Sequence, residues 1–500
     1  MFLYLFAVLL LYIVWKLRDY FHFKELKNFS TTSTPIIKTS FNIAYQSQEG
    51  IFKFPRKCAD QFQTSYVHWF FGLWSFEVCR AKEVERILGS AKHIDKSDIY
   101  NLLNPFLKTG LLTSNGEKWH SRRRMLTSAF HFEILKEYLE VFREESDRLV
   151  LSLRETIGAE VNIVPIVTQF TLNTICEAAM GVKLSSLGND GVVYRKNIYE
   201  VGKLLLSRLL KPWLMRDFIY SLLGHRKQLD EVLKPVLEFT KSIVAQRKFT
   251  FSDDSSGGRA PEEEVDCNEN IYFRTKKRYA MMDTLLQAER QGLIDEDGII
   301  EETDTFTFEG HDTTSAAISF IILLLAHHPE AQEAILEEIR DVVDTKHDLT
   351  IDDFNRFEYM DRVIKESMRI YPPVPFISRK LSEDYQHDGF VQPEGTLVNI
   401  HIFDVHRDPA IFPDPEKFDP DRFLPENCAE RSNFAFIAFS AGMRNCIGQR
   451  FAMLELKMVV TKLIRNFKIL PVTRREEVVF LADLVLRPRN PIKIKFVSRT

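Results

Sequence analysis

The stretch from Asp304 to Ala326 limits how this chain can fold more than any other segment. Its second half, from Ala316 onward, consists almost entirely of alanine, isoleucine, leucine and phenylalanine. A helix that is apolar on all sides is buried, so we predict a long helix inside a large core. The proline of His327-His328-Pro329 predicts that this helix ends there and that the next one begins at Pro329.

The first half of the same helix carries polar residues that a buried helix normally excludes: Glu309, Gly310, Asp312 and Thr313. A glycine inside a helix costs about 1 kcal/mol relative to alanine, and buried carboxylates must be paired or hydrogen-bonded. Glu309 and Thr313 are four residues apart and share one helical face. This departure from a core pattern indicates function; the structural alternative is a helix kinked by a threonine bonded to its own carbonyls.

A second motif is the ten-residue run from Phe439 to Gly448, FSAGMRNCIG. Gly442 and Gly448 permit tight turns and close approach to a flat cofactor. The helix predicted to follow would direct its amide groups and positive dipole end at Cys446 and lower the pKa of the thiol. A thiolate held in this way is the axial iron ligand of haem-thiolate oxygenases. An isolated cysteine, by contrast, is most often a small buried side chain.

The run around Cys446 resembles the haem-binding signature of the cytochrome P-450 superfamily, Phe-x-x-Gly-x-Arg-x-Cys-x-Gly, at every fixed position. The resemblance implies haem b as the cofactor, with its iron bound by the thiolate of Cys446. It also implies that Phe439 covers the sulfur and that Arg444 lies near a haem propionate.

The polar part of the buried helix resembles the distal helix of the same superfamily. There the residue matching Gly310 opens room for dioxygen, and an acid-alcohol pair, here Asp312 and Thr313, delivers protons. The segment 306–314, FTFEGHDTT, closely resembles family 4, the microsomal fatty-acid omega-hydroxylase group. In that family the glutamate matching Glu309 can form an ester with a haem methyl group; otherwise this carboxylate would hydrogen-bond within the helix or reach solvent.

Cations are needed near the two haem propionates. Trp119 and Arg123, in WHSRR, match the Trp-x-x-x-Arg helix of the family, whose indole and guanidinium contact a propionate. Arg379 is a further propionate candidate besides Arg444. A surface position is the ordinary alternative for each arginine.

Glu366 and Arg369 are three residues apart on a predicted helix that ends at Tyr371-Pro372, so their side chains can pair. Glu-x-x-Arg is uninformative alone, but the family places it in a buried charge cluster with an arginine that matches Arg422. The resemblance therefore assigns a structural role to all three residues.

Composition limits the class of protein. The chain has 500 residues, 45% of them hydrophobic, and a formal net charge of −4, so no overall basic field suggests nucleic acid as a partner. Six cysteines without regular spacing argue against a disulfide framework or a structural zinc site.

Helical patterns dominate, with short β-type runs such as 66–71, which predicts a mainly α (α+β) fold with small β-sheets. The polar segment 251–277 predicts an exposed loop.

The first residues, MFLYLFAVLLLYIVW, are apolar and are followed by Lys16 and Arg18. The run is shorter than the roughly 20 residues that span a bilayer comfortably, but flanking cations after it favour a retained anchor with the rest of the chain in the cytosol. We predict an anchor at 1–22, a linker at 23–44 and one haem-thiolate domain at 45–500. The predicted location is the endoplasmic reticulum membrane.

The resemblance implies a monooxygenase that inserts one oxygen atom from O2 into a fatty acid or related lipid. NADPH-cytochrome P-450 reductase would supply electrons, with cytochrome b5 as a second donor, and both would dock on a basic face of Lys118, Arg122, Arg124, Arg450 and Lys457. Arg208, Lys211 or Arg216 would meet a fatty-acid carboxylate. The alternatives are a hydroxylase of hormone-like lipids or foreign compounds, a haem isomerase that needs no reductase, and a non-catalytic haem- or lipid-binding membrane protein.

Overall fold

A computed structural model describes residues 10, 14, 43–70, 73–187, 189–256, 280–343, 349–387 and 390–499. The predicted anchor and linker, apart from residues 10, 14, 43 and 44, lie outside this part of the chain. None of the helices within it is both long and apolar enough to cross a bilayer. The predicted polar loop also lies outside it from residue 257 onward; its first residues, 251–256, are helical instead.

Helices make up most of the described chain. They are α1 Gln48–Phe62, α2 Ala81–Leu88, α3 Asn104–Leu107, α4 Gly116–Thr127, α5 Phe132–Arg154, α6 Ile163–Ala178, α7 Asp190–Leu210, α8 Asp217–Leu222, α9 His225–Ser256, α10 Met281–Arg290, α11 Glu296–His327, α12 Pro329–Val342, α13 Ile351–Arg356, α14 Glu358–Ile370, α15 Ile402–Val405, α16 Pro425–Ala429 and α17 Gln449–Asn466.

Helix α11 is the predicted central helix, and it begins eight residues before Asp304. Asp295 caps its N-terminus by accepting a hydrogen bond of 2.8 Å from the amide of Gly298, which satisfies one of the free amides of the first turn. The helix ends at His327 and α12 begins at Pro329. The predicted boundary at Pro329 is therefore confirmed.

Helix α11 is buried along almost its whole length and packs along α6. Four of its five threonines donate their hydroxyl groups to carbonyls of the same helix, whereas the buried Thr307 hydroxyl has no hydrogen-bond partner in the described chain. Thr303 donates to the carbonyl of Ile299 at 2.7 Å, and Thr305 donates to the carbonyl of Glu301 at 2.8 Å. These bonded hydroxyls can be buried without the cost of an unmade hydrogen bond, whereas Asp304, Thr307 and Asp312 each leave one buried oxygen atom without a partner among the described residues.

The strands form small sheets beside the helical core. They are β1 Tyr66–Phe70, β2 Leu73–Val78, β3 Glu160–Asn162, β4 Ile377–Lys380, β5 Tyr385–His387, β6 Phe390–Gln392, β7 Leu397–Ile400, β8 Phe467–Pro471, β9 Phe480–Leu481, β10 Arg487–Pro488 and β11 Lys493–Ser498. The largest sheet has the order β1-β2-β7-β4, with only the β2–β7 pair parallel. Strands β3, β11 and β8 form an antiparallel sheet, and β9 with β10 forms a hairpin near the C-terminus. The expected helix-rich fold with small sheets is confirmed.

The charge cluster proposed from the sequence is assembled on α14. Arg369 donates two hydrogen bonds to Glu366, at 2.7 and 2.8 Å, and both side chains are fully buried. The Nε atom of Arg422 lies 3.5 Å from the same carboxylate, and the amide of Asp419 donates to it at 2.9 Å. Arg369 also donates to the carbonyl of His406. The cluster therefore attaches the loop 406–422 to α14.

Replacing Glu366 by glutamine should destabilise the protein strongly, because it leaves Arg369 charged and buried without a carboxylate. We expect a loss of about 3–5 kcal/mol in the free energy of unfolding, measured by urea denaturation followed by circular dichroism. The matched control is Glu133→Gln, which removes an exposed pair with Lys136 and should change stability by less than about 1 kcal/mol. Equal losses in the two variants would contradict the structural role of the buried pair.

Candidate active site

One cavity of about 910 Å³ brings the two sequence motifs together. Glu309, Gly310 and Thr313 of α11 line it, and so do Phe439 and Cys446 from the loop before α17. Apolar side chains form much of the remaining wall, among them Leu102, Leu103, Leu111, Leu112, Val374, Phe376, Leu484 and Val485. Such a cavity suits a large, flat cofactor together with an apolar ligand.

The loop before α17 holds Cys446 in a fixed position. The Cys446 amide donates to the carbonyl of Phe439 at 2.9 Å. Gly442 has φ +69°, and a Cβ atom there would lie 1.8 Å from the carbonyl oxygen of Leu88, so only glycine fits. The Gly448 amide donates to the Cys446 sulfur. Hence the glycine at 442 serves the turn, and the one at 448 places a donor at the sulfur.

The pKa of the Cys446 thiol does not follow the sequence-based expectation. Burial and the Glu309 carboxylate raise it to about 11, although the Gly448 amide and Arg123 act to lower it. The predicted lowering by the helix end is present as the bond from the Gly448 amide, but desolvation of the thiolate outweighs it and the pKa rises. A metal cation bound to the sulfur is what would favour the thiolate.

Glu309 and Thr313 both line the cavity, as their shared helical face predicted. Burial raises the pKa of Glu309 to about 7, while the nearby cations Lys96, Arg444 and Arg123 act to lower it. The Thr313 hydroxyl donates to the carbonyl of Glu309 at 2.7 Å, which is the intrahelical bond of the structural alternative. In this arrangement the hydroxyl oxygen still has an acceptor site for a proton donor in the cavity.

The Asp312 side chain is hydrogen-bonded to Arg487 and the Thr313 hydroxyl to the carbonyl of Glu309, so the two are not bonded to each other. The Oδ2 atom of Asp312 accepts a hydrogen bond of 2.6 Å from Arg487, and its side chain is only 1% exposed. In the described chain, the α11 residues on the cavity wall nearest to it are Gly310, Thr313 and Thr314. The structure therefore shows the predicted acid of the acid-alcohol pair bound to an arginine that sequence reasoning missed.

Gly310 lines the cavity, but its missing side chain has a packing reason as well. A Cβ atom there would lie 2.6 Å from side-chain carbons of Ile175 on α6. A larger residue would push α6 and α11 apart. The glycine predicted to make room for dioxygen thus also permits close contact between two helices.

Three of the predicted propionate-binding residues lie together at the cavity. Arg444 places its guanidinium 4.4 Å from the centre of the Trp119 ring, and Trp119 is 3% exposed. Arg444 also donates to the carbonyls of Ile94 and Ser114, at 3.1 and 2.6 Å. Arg123 donates to Asn445, next to the cysteine, at 2.7 Å. Arg123 and Arg444 therefore also tie the cysteine loop to the segment before α4 and to α4 itself.

Arg379 is 1% exposed and donates to the carbonyl of Ser378 at 2.9 Å. Lys96, which sequence reasoning missed, is 8% exposed, lines the cavity and stacks on Tyr100, with Nζ 4.4 Å from the ring centre. Burial, and then the charges of Arg379 and Arg444, hold the pKa of Lys96 well below its usual range. No spacing in the sequence signals this lysine, because it lies in a loop.

The residues around the cavity fit a haem group. Lys96, Arg123 and Arg444 line the cavity and bring positive charge to it, and two propionates would neutralise this charge. The predicted propionate ligand Arg379 is not among the described residues that line the cavity. Cys446 presents a single sulfur to the same cavity, which is the donor set of a thiolate-bound haem iron. Haem b is therefore compatible with both the charge and the ligand chemistry found here.

None of the three predicted substrate cations, Arg208, Lys211 and Arg216, is among the described residues that line the cavity, and one member of the predicted basic face is buried. Arg208 is 5% exposed, pairs with Asp217 and stacks on Tyr220, so it stabilises the α7–α8 connection. Lys457 is 8% exposed and is bound to the carbonyl of Phe354 at 2.9 Å. Assigning Lys457 to an exposed basic face was wrong, because helix α17 buries that side.

Comparison with known proteins identifies the family. Residues 30–496 match the family model described as cytochrome P-450. A probable cytochrome P-450 4ac2 of Drosophila melanogaster is 42% identical over 477 residues, which cover 95% of this chain and 91% of that relative. Cytochrome P-450 4V2 of Rattus norvegicus is 39% identical over 427 residues, covering 84% and 79% of the two chains.

A solved structure, the retinoic acid bound cyanobacterial CYP120A1, superposes with a TM-score of 0.73 at 25% identity and covers 91% of this chain and 97% of its own. The family-4 resemblance seen in the sequence agrees with the family-4 names of the relatives. Since the fold, the cysteine loop and the matches agree, the chain belongs to the cytochrome P-450 family, as a family-4 type monooxygenase whose haem iron is bound by a cysteine thiolate.

Proposed function

We propose that this monooxygenase hydroxylates a fatty acid or related lipid, with the chain terminus as the position oxidised. The observation that carries the proposal is the cavity, in which an apolar wall leads to Glu309, Thr313 and Cys446. The overall reaction is RH + O2 + NADPH + H⁺ → ROH + H2O + NADP⁺, with electrons passed on by a flavoprotein reductase. Family-4 relatives and the solved structure of the retinoic acid bound cyanobacterial CYP120A1 support a lipophilic substrate.

Haem bound at Cys446 would supply the oxygen-activating chemistry. The chain's own residues position the substrate and exclude water. An apolar substrate chain would be held by burial against the cavity wall, which includes Leu111, Val374 and Leu484. Terminal C–H bonds are stronger than the C–H bonds of the interior carbons. The wall must therefore keep the interior carbons away from the reacting position. The Thr313 hydroxyl can accept and pass on a proton at the cavity wall.

The proposal predicts NADPH-dependent hydroxylation of lipids by the full-length protein reconstituted with cytochrome P-450 reductase. Lipids of several chain lengths, a steroid and a foreign aromatic compound should be compared, and mass spectrometry locates the added oxygen. Terminal hydroxylation of a lipid supports the proposal. Oxidation of the steroid or the foreign compound alone would favour the hydroxylase alternatives, and product formed from a peroxide without NADPH would favour an isomerase.

Cys446→Ser is the matched variant for this experiment. It keeps the loop and replaces the sulfur by a weaker ligand for haem iron, so we expect loss of product and loss of the thiolate-type spectrum of the reduced, CO-bound protein. Full activity in this variant would contradict the assignment of Cys446.

We further propose that Glu309 forms an ester with a methyl group of the haem. One C–H bond of the methyl group would be replaced by a C–O bond, a two-electron oxidation for which O2 and NADPH are the oxidant and electron source of the normal reaction. Glu309 lines the cavity beside Cys446, and the cations Lys96, Arg444 and Arg123 favour its reactive carboxylate form. Such a link would fix the cavity floor and so aid selection of a chain terminus.

After turnover with NADPH and reductase, haem should remain on the wild-type polypeptide during denaturing chromatography. It should be released from Glu309→Gln, which keeps the side-chain shape but cannot form the ester. Glu133→Gln, which removes an exposed carboxylate away from the cavity, is the control and should retain haem. Release from the wild type would contradict the ester.

The location in the endoplasmic reticulum membrane, with an N-terminal anchor at 1–22, is also part of the proposal. An exposed apolar patch supports contact with a lipid surface: Phe218 on α8 is 76% exposed, and Leu222 and Leu223 are 72% and 56% exposed. Exposed patches of this kind mark interaction sites. Of the predicted basic face, Lys118, Arg124 and Arg450 are exposed and are the candidates for docking an acidic reductase or cytochrome b5.

The full chain should stay in the membrane pellet after a high-salt wash, because the anchor is apolar. A truncated chain, 23–500, should bind vesicles more weakly but still measurably, and Phe218→Ser with Leu222→Ser should remove most of this residual binding. Flotation of the protein with phosphatidylcholine vesicles measures both effects. A truncated chain that binds as tightly as the full chain would contradict the anchor.

A further inference from the structure

A buried charge cluster of three residues lies behind the cavity wall. Arg487, at the start of strand β10, donates from Nη2 to Asp312 at 2.6 Å and from Nε to Asp483 at 2.6 Å. Asp312 and Asp483 are 1% and 6% exposed, and the arginine side chain is 13% exposed. One cation is therefore shared between two buried carboxylates.

The cluster joins three elements of the fold. Asp312 belongs to α11, and Asp483 and Arg487 belong to the β9–β10 hairpin. On α7, the ring of Tyr199 lies 4.1 Å from the Arg487 guanidinium. Gly202, also on α7, allows close contact, since a Cβ atom there would lie 2.4 Å from Asp483 Oδ1. Movement of α7 or of the hairpin would therefore displace Arg487.

The two carboxylates differ in their relation to the cavity. Asp483, together with Leu484 and Val485, lines the cavity, whereas Asp312 is held behind the wall that Thr313 and Gly310 form in the described chain. The Oδ1 atom of Asp312 is buried and has no hydrogen-bond partner. A buried carboxylate oxygen without a partner is costly, so the position of Asp312 depends on its single bond to Arg487.

We propose that Arg487 is a positioning residue that couples occupancy of the cavity to the orientation of Asp312. With the cavity empty, Arg487 bridges Asp312 and Asp483, with its guanidinium against the ring of Tyr199. A lipid that displaces the wall at 483–485 draws Arg487 away with Asp483, and the freed Asp312 carboxylate can turn toward Thr313. This inference rests on the proposed lipid hydroxylation, because it concerns when protons reach that site.

The geometry requires arginine at 487. A guanidinium donates along fixed, separate directions from Nε and Nη2 and so binds two carboxylates at once. A lysine ammonium is a single point charge and would hold either Asp312 or Asp483 firmly, but not both. Arg487→Lys should therefore keep the charge of the cluster and break the coupling.

The test measures how NADPH electrons divide between hydroxylated product and hydrogen peroxide. Asp483→Asn removes the carboxylate that competes with Asp312 for Arg487, so Arg487 stays bound to Asp312 when lipid is present. The product-to-peroxide ratio should then fall about tenfold, which is the effect of losing one charge-assisted hydrogen bond. Arg487→Lys should instead raise NADPH consumption in the absence of lipid. A larger solvent deuterium isotope effect on product formation in Asp483→Asn would show that proton delivery has slowed.

Double variants separate coupling from simple damage to the fold. In the background of Asp312→Asn, Asp483→Asn should cause no further change, because it acts through Asp312. Asp283→Asn, which disrupts an arginine pair with Arg247 away from the cavity, is the matched control and should leave the product-to-peroxide ratio unchanged. Additive losses in the double variant, or an equal effect in the control, would overturn the proposal.

A second measurement does not depend on catalysis. Binding of 1-dodecylimidazole to the haem-loaded protein should change amide hydrogen exchange around Tyr199 in the wild type and not in Arg487→Lys. The same change in both proteins would overturn the coupling. If the wild type forms no product from any lipid, the proposed function fails, and this exchange experiment alone decides the role of Arg487.

Discussion

Burial of helix α11 on every side is the constraint on which the rest of the structure depends. A buried helix can carry Glu309, Asp312 and Thr313 only if each polar group has a partner or faces a cavity. Thr313 bonds within the helix, Asp312 bonds to Arg487, and Glu309 faces the cavity. The cavity, the C-terminal hairpin and the contact with α6 can therefore be understood as the surroundings that these side chains require.

Buried charge is balanced differently in two parts of the protein. Around Glu366 and Arg369 the ions pair within the protein, and the result is a rigid attachment of a long loop to α14. Around Lys96 and Arg444 the cations gather beside the cavity with Glu309 as a nearby carboxylate, which suits an anionic cofactor. The first arrangement stabilises the fold, and the second is suited to binding.

The sequence predicted what depends on local spacing. The four-residue interval between Glu309 and Thr313 placed both on the cavity, and Pro329 marked the boundary between two helices. The sequence-based predictions were wrong where contacts between distant segments of the chain determine the environment of a side chain. The sequence predicts Lys457 as a surface charge, but its ammonium group is bound to the carbonyl of Phe354. The pKa of the Cys446 thiol is raised, because desolvation has a larger effect on it than the amide at the helix end.

The sequence by itself determined the family, the central helix and the cysteine loop, because each is specified by residues close together in the chain. Only the tertiary structure decided which distant groups meet. Arg487 is far from Asp312 in sequence yet forms an ion pair with it, and Lys96 is far from Glu309 yet lowers the pKa of its carboxyl group through its charge. The physical reason is that electrostatic interactions depend on separation in space and on burial, and neither quantity is encoded in local sequence patterns.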